Sequence, residues 1–207
     1  MNEKFPQTNS DEILGAAADT ETSHEQEAQA EPRVYVACLA AYSRGDLHGV
    51  WLDAAREPEA IYEDIHAMLA DSPAPDAEEF AIHDSEDFGS CTVREHDSIE
   101  LVSKIARGIK QHGYAFAAWA DVQEDSPELL DHFSEAYAGH FSSLEAYTEQ
   151  EIAERGYCDV LDRVVPADWR SYVTIDARAM ANDWHQGGDI NVYPAPEGGV
   201  YLFDERV

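Results

Sequence analysis

Apolar and polar residues in the first folded third of the chain follow the pattern of a small α+β unit. Apolar runs at residues 34–39 and 50–52 predict two strands, and the turn sequence at residues 43–46 joins them into a hairpin. Pro58 begins a predicted helix in which apolar residues recur at three- and four-residue steps. A short third strand is predicted at residues 79–83.

The middle of the chain has helical spacing. Asp97 and Glu100 have the spacing of a capping box, so we expect Asp97 to begin a helix that Gly113 ends. Ser126, which is followed by proline, begins a second helical pattern that Gly139 and Ser142-Ser143 break. Ser142 is expected to cap a third helix.

The last part of the chain returns to mixed structure. Asp176 is predicted to cap a short helix that ends at Gly187-Gly188. Apolar runs at residues 190–193 and 200–203 predict a closing hairpin. The order of elements therefore predicts an α+β fold that is β-rich, then helical, then mixed.

Charge narrows the possible functions. The chain holds 13 Lys and Arg against 43 Asp and Glu, for a net charge of -30 over 207 residues, yet 44% of its residues are hydrophobic. Such a chain can bury a core, but its self-repulsion opposes folding, so the charge itself is expected to be useful. The balance disfavours direct nucleic-acid binding and an anionic membrane surface, and it favours basic proteins or metal ions as partners.

The charge is spread over the whole chain. Residues 1–32 are polar and unpatterned, and we expect them to form a disordered acidic tail. They hold eight acids and one lysine, which leaves about -23 of the total on the remainder. Since B-DNA carries about one charge per 1.7 Å of axis, about 23 charges match roughly 12 base pairs, or about 39 Å of duplex.

The candidate acidic surface is drawn from the middle of the chain, between residues 84 and 149. Glu128, Asp131 and Glu135 have the spacing of one helix face, and Glu145 and Glu149 form a similar pair. A solvated helix face explains any single carboxylate, but the scarcity of interspersed cations favours a function for the whole set. The set is Asp84, Glu86, Asp87, Glu95, Asp97, Glu100, Asp121, Glu124, Asp125, Glu128, Asp131, Glu135, Glu145 and Glu149.

Motifs for catalysis or cofactor binding are absent from the sequence. There is no glycine-rich nucleotide-binding loop, zinc-protease motif, hydrolase nucleophile motif or EF-hand loop, so we predict no catalytic residue, cofactor or metal. The three cysteines are far apart and form no CxxC pair, which is typical of reduced thiols in the cytoplasm. We see no secretion signal and no membrane-spanning stretch.

Four stretches of the sequence resemble the ArdA antirestriction family, a family of DNA-mimic proteins from plasmids, phages and conjugative transposons. They cover the chain from about Arg33 to the end, in the family's order. The stretches are RVYVACLAAYSRGDLHGVWLDA, EEFAIHDSEDF, HFSEAYAGHFSSLEAYTEQ, and VPADWRSYVTIDARAMANDW with the closing GGVYLFDE.

The resemblance implies a curved, elongated chain of three small domains, which we divide at residues 33–83, 84–155 and 156–207. It implies surface carboxylates that stand in for DNA phosphates, and no catalysis. The implied target is a type I restriction-modification enzyme, bound in its DNA cleft at the methyltransferase and specificity subunits. It also implies a homodimer built through the C-terminal domain, to which we assign Val164, Val165, Pro166, Trp169 and Tyr172.

Three other functions fit the composition. The chain has only three lysines, as in an acidic protein adapted to high salt. Clustered carboxylates also suit a metal-binding protein or an enzyme. Finally, an acidic mimic can be aimed at another DNA-binding protein, which the residues alone do not separate from a restriction enzyme.

Overall fold

Two small antiparallel sheets and the helices packed on them form the fold, which a computed structural model describes for residues 30–124 and 126–206. The predicted α+β class is confirmed. The predicted tail lies outside the described residues up to residue 29, and so does Asp125 of the candidate acidic surface. The division into three domains stays a prediction.

The N-terminal sheet is built on the predicted hairpin. Strand β1 (Arg33–Cys38) pairs with β2 (Gly49–Asp53) on one edge and with β3 (Phe80–Glu86) on the other, which gives the order β2-β1-β3. The hairpin connection also contains a one-turn helix, α1 (Leu39–Tyr42), that the turn sequence did not predict. Helix α2 (Pro58–Ala70) begins at Pro58 as predicted and buries its apolar stripe.

Helix α3 (Ile99–His112) ends before Gly113, as predicted, but it does not begin at Asp97. The Ser98 hydroxyl caps the helix by accepting a hydrogen bond from the Leu101 amide at 3.2 Å. The Asp97 carboxylate instead accepts from the Arg94 amide at 2.8 Å, within the preceding turn. The predicted Asp97 cap is therefore wrong, because Ser98 is the extended residue directly before the first helical turn.

The next segment departs from the predicted helix. Helix α4 (Tyr114–Val122) was not predicted, and the pattern that starts at Ser126 forms a 3₁₀ helix (Pro127–His132) followed by the one-turn α5 (Phe133–Ala136). Residues from Tyr137 to Phe141 then form strand β4. Continuous helix was wrong here because pairing with a C-terminal strand overrides the three- and four-residue spacing of the apolar side chains.

Helix α6 (Leu144–Glu154) and the two short helices that follow it open the C-terminal part. Ser143, not the predicted Ser142, caps α6, and its hydroxyl accepts from the Ala146 amide at 3.1 Å. Helices α7 (Tyr157–Val164) and α8 (Ala167–Arg170) come next, and no residue of either helix is buried.

The closing elements agree with their prediction. Asp176 caps α9 (Ala177–Gly187) by accepting from the Ala179 amide at 2.9 Å. Strands β5 (Ile190–Pro194) and β6 (Val200–Asp204) form the predicted hairpin. Strand β4 pairs with the free edge of β6, so the second sheet has the order β4-β6-β5.

One large buried cluster runs from the first sheet through α2, α3 and α4 to β6. Trp119 of α4 is 2% exposed, and its ring lies 5.1 Å from that of Phe203. A second, smaller cluster contains Tyr147, Ile190 and Leu202, under the second sheet. Most candidate acids therefore lie on or next to elements that pack on the larger cluster, whereas those of α6 lie on an element that packs on the smaller one.

Gly108 marks the closest approach of α3 and α4. A Cβ atom at this position would collide with the ring of Phe116, which is 6% exposed. We expect Gly108→Ala to lower the free energy of unfolding by about 1–3 kcal/mol through overpacking, although alanine is the better helix former. Urea denaturation measures this change.

Gly187→Ala is the matched control. Its Cβ would meet the Asp189 carboxylate at 3.7 Å, an ordinary contact, so its stability should be unchanged or rise by up to about 1 kcal/mol. A Gly108→Ala protein as stable as wild type would contradict the tight packing of α3 on α4.

Candidate acidic protein-binding surface

Almost all of the candidate carboxylates are exposed to solvent in the structure. Every member that it describes is exposed except Asp97, which is half-buried. The members fall into five groups along the chain: the end of β3 and the next turn (Asp84, Glu86, Asp87), the start of α3 (Glu95, Asp97, Glu100), the end of α4 (Asp121, Glu124), the 3₁₀ helix and α5 (Glu128, Asp131, Glu135), and α6 (Glu145, Glu149).

Two of these groups come together in space. Burial, with the nearby carboxylates of Asp121 and Asp97, raises the pKa of the Cys91 thiol from 9.0 to about 11. Both carboxylates line one cavity with Cys91 and Glu124. The loop after β3 and the end of α4 therefore present a single acidic site, although 24 positions separate Asp97 from Asp121 in the sequence.

The same region reaches the C-terminal sheet. Burial raises the pKa of Tyr193, and the charges of Asp121 and Glu205 raise it further. Glu205 also lines a cleft with Glu135 and Asp204. The sequence analysis missed Asp204 and Glu205, because only the pairing of β4 with β6 brings the end of the chain beside α5.

The predicted single helix face of Glu128, Asp131 and Glu135 does not form. Glu128 and Asp131 lie on the 3₁₀ helix, whereas Glu135 lies on α5. Side chains three residues apart lie on the same side of a 3₁₀ helix, so Glu128 and Asp131 still share a face, and only Glu135 lies on a different helix. All three side chains are nevertheless exposed.

Most basic side chains are already paired within the molecule. Nine Lys and Arg of the described residues form ion pairs with carboxylates: Arg33, Arg44, Arg56, Arg94, Lys104, Arg107, Arg155, Arg170 and Arg206. Of the candidate acids, Glu86 pairs with Arg33 at 3.8 Å, Asp131 with Lys104 at 2.9 Å, and Glu124 with Arg94. Since the chain holds 43 Asp and Glu against 13 Lys and Arg in all, most carboxylates remain open to an external cation.

The reactivity of the Cys91 thiol reports the charges of Asp97 and Asp121. We expect iodoacetamide to label Cys91 about 100-fold more slowly at pH 8 than an exposed thiol of ordinary pKa, because little thiolate is present. Since the folded pKa exceeds 9.0, protonated Cys91 contributes stability below pH 9, and that contribution is lost as pH rises to about 11. Mass spectrometry of the labelled protein against pH measures the midpoint.

Three variants make the measurement specific to Cys91 and its neighbouring charges. Cys158→Ser removes the exposed thiol, and Asp121→Asn should speed labelling of Cys91 several-fold by removing a neighbouring charge. Asp71→Asn, which has the same charge change in the turn after α2, should leave the rate unchanged. Equal rates for Asp121→Asn and wild type would contradict the electrostatic influence of Asp121.

A second surface feature is apolar. Helices α7 and α8 and the residues after them expose Val164 (68%), Trp169 (64%) and Tyr172 (79%). Pro166 is exposed and Val165 half-buried, while Tyr157 and Val160 extend the exposed apolar set. We call this set the α7–α8 face; it includes all five residues assigned from sequence to a dimer interface.

The described part of the chain has neither a metal-binding cluster nor a membrane-spanning helix. No group of three or more His, Cys, Asp or Glu within residues 30–124 and 126–206 is arranged to hold a metal ion. None of the helices described there combines the length and apolar composition needed to cross a bilayer.

An excess of open carboxylates, together with an exposed apolar face, is typical of an acidic protein that acts by binding other proteins. The family model described as Antirestriction protein (ArdA) matches residues 34–197. The chain belongs to the ArdA antirestriction protein family, which confirms the resemblance to that family. The match ends before the closing stretch GGVYLFDE at residues 198–205. The family is one of inhibitors rather than enzymes, and membership implies an antirestriction function. A comparison with curated proteins found no match.

Proposed function

We propose that the protein inhibits type I restriction-modification enzymes by presenting carboxylates where DNA presents phosphates. It occupies the DNA-binding cleft formed by the methyltransferase and specificity subunits and so excludes DNA. The observation that supports this proposal most directly is the set of exposed carboxylates left open after the molecule's own cations are paired. The charge of the folded part matches about 12 base pairs of duplex.

The physics of DNA binding explains why such a surface competes. A DNA-binding cleft gains much of its affinity from basic groups that replace the counterions of phosphates. Carboxylates fixed on helices and strands can engage the same groups, and their field also steers association. Competition of this kind weakens as salt rises.

We further propose that the protein is a homodimer and acts in the cytoplasm without binding nucleic acid or membrane. The α7–α8 face supports the dimer, because a monomer seldom exposes several large apolar side chains together. Two copies would double the length of the acidic surface. The cysteines at positions 38, 91 and 158 are free thiols, as expected in a reducing compartment.

The test is ATP-dependent cleavage of unmodified DNA by a purified type I restriction enzyme, titrated with this protein. We expect near-stoichiometric inhibition that excess DNA relieves and that weakens from low to high salt. No inhibition at large excess, with the protein folded, would favour another DNA-binding target. Loss of structure at low salt would instead favour an acidic protein adapted to high salt.

A further inference from the structure

A small cavity opens beside Cys91, between the loop after β3, α3 and the end of α4, with a volume of about 50 Å³. Buried or half-buried apolar side chains and more exposed carboxylates line it: Leu101, Ile105 and Leu130, with Asp97, Asp121 and Glu124. A water needs about 10–15 Å³ of such volume, so the cavity has room for about four water-sized groups. This is the size of a guanidinium, which has one carbon and three nitrogens.

Gln123 supplies a polar group that has no bonding partner. Its side chain lines the cavity and is 9% exposed, yet its amide makes no hydrogen bond with any residue in the described part of the chain. No side-chain nitrogen or oxygen in the described part of the chain is both sealed from solvent and without a partner, so the atoms of the Gln123 amide remain accessible to solvent. The Gln123 carbonyl oxygen is therefore free to accept from a donor that enters the cavity.

A guanidinium of the chain itself already binds at the cavity. Arg94 lines it and forms an ion pair with Glu124, and both side chains are more than half exposed. The Arg94 amide also donates to Asp97 and so holds that carboxylate beside the others. Arg94 shows that these carboxylates accept a guanidinium, and its exposure lets another one displace it.

We propose that this cavity binds one arginine side chain of the partner, which inserts its guanidinium between the carboxylates and the Gln123 amide. The inference rests on the proposed function, because the arginine belongs to the basic cleft of the restriction enzyme. Arginine fits better than lysine because its planar group presents five donors to several acceptors at once, while its stem can lie on the apolar side chains. The protein thus combines a broad surface of exposed carboxylates with one cavity that fits a particular side chain.

The first test uses the free protein and does not need the enzyme. In an NMR titration with N-acetyl-arginine methylamide, we expect saturable shifts of the Thr92 and Ala120 amides, which border the cavity. The citrulline analogue, which lacks the charge, should leave them unchanged. The absence of saturable shifts, or an equal response to the citrulline or lysine analogue, would overturn the arginine assignment.

The second test separates binding from folding. Gln123→Leu should weaken inhibition about tenfold through loss of a hydrogen bond to a charged group. Its thermal stability should stay close to that of wild type, because no buried side-chain hydrogen bond of the described residues is lost. Arg94→Gln should tighten inhibition more than Arg44→Gln, which also removes one ion-paired arginine. The cavity plays no part in inhibition if the wild-type protein inhibits, Gln123→Leu inhibits equally well, and Arg94→Gln behaves like Arg44→Gln. If the wild-type protein does not inhibit, the proposed function fails, and the NMR titration alone shows whether the cavity binds arginine.

Discussion

Neutralising four open carboxylates of the candidate surface should raise the concentration needed for half-inhibition by about 100-fold. The variant carries Asp84→Asn, Glu128→Gln, Glu145→Gln and Glu149→Gln, whose side chains are exposed and lie outside the cavity beside Cys91. Each exposed ion pair with the target is worth roughly 0.2–1 kcal/mol, so four pairs at about 0.7 kcal/mol give about 2.7 kcal/mol, which is close to a factor of 100. The cleavage titration measures this shift.

The control distinguishes the location of charge from its amount. Asp46→Asn, Glu63→Gln, Asp71→Asn and Glu78→Gln change the net charge equally at exposed positions outside the candidate surface. We expect less than a fivefold loss from this control, and a shallower salt dependence only for the first variant. Equal losses in both variants would mean that net charge alone acts, and that the candidate surface was wrongly placed.

The sequence predicted the elements with a clear apolar pattern. Helix α2 has one buried face, so its periodicity was informative, and the strands of both hairpins are short apolar runs between turn residues. Helix α4 was missed because Ala115 through Ala120 are all buried, and a helix that is apolar all round has no periodic pattern. Strand β4 was missed because its pairing with β6 depends on residues about 60 positions away.

The predicted starts of α3 and α6 were each wrong by one residue. Asp97-Ser98 and Ser142-Ser143 each offer two adjacent residues able to cap, and in both pairs the second one caps. The choice depends on which residue is extended directly before the first turn, and spacing alone does not determine this.

The sequence predicted that the candidate acids would be exposed, but not which of them would lie close together. Charge and hydropathy were enough to expect that the acids would be exposed. Their proximity depends on tertiary contacts: α4 brings Asp121 beside Asp97, and β6 brings Glu205 toward Tyr193. Gln123 had no signal in the sequence, since only its place in the cavity and the lack of a hydrogen bond from its amide within the described residues distinguish it.

Trp169→Glu should convert a dimer into a monomer without unfolding it. Trp169 is 64% exposed within α8, a helix with no buried residue, so the stability of the subunit should change by less than about 0.5 kcal/mol. Loss of a central aromatic anchor commonly costs 2 kcal/mol or more, and a buried carboxylate adds to this, so the dimer dissociation constant should rise by more than about 100-fold. Sedimentation velocity measures the change. Leu47→Glu, at an 83% exposed residue far from this face in sequence, should leave the dimer intact.

The charge of the α7–α8 face explains why two such acidic chains can meet there. Between positions 157 and 173 the chain carries three Asp and two Arg, so it is nearly neutral, and Arg170 donates to Asp162 at 2.5 Å. Salt screens the repulsion between the remaining acids of the two copies, so self-association should strengthen as salt rises while binding to a basic target weakens. Sedimentation and inhibition measured over one salt series should therefore move in opposite directions. A dimer that dissociates as salt rises, or a Trp169→Glu protein that stays dimeric, would place the interface elsewhere.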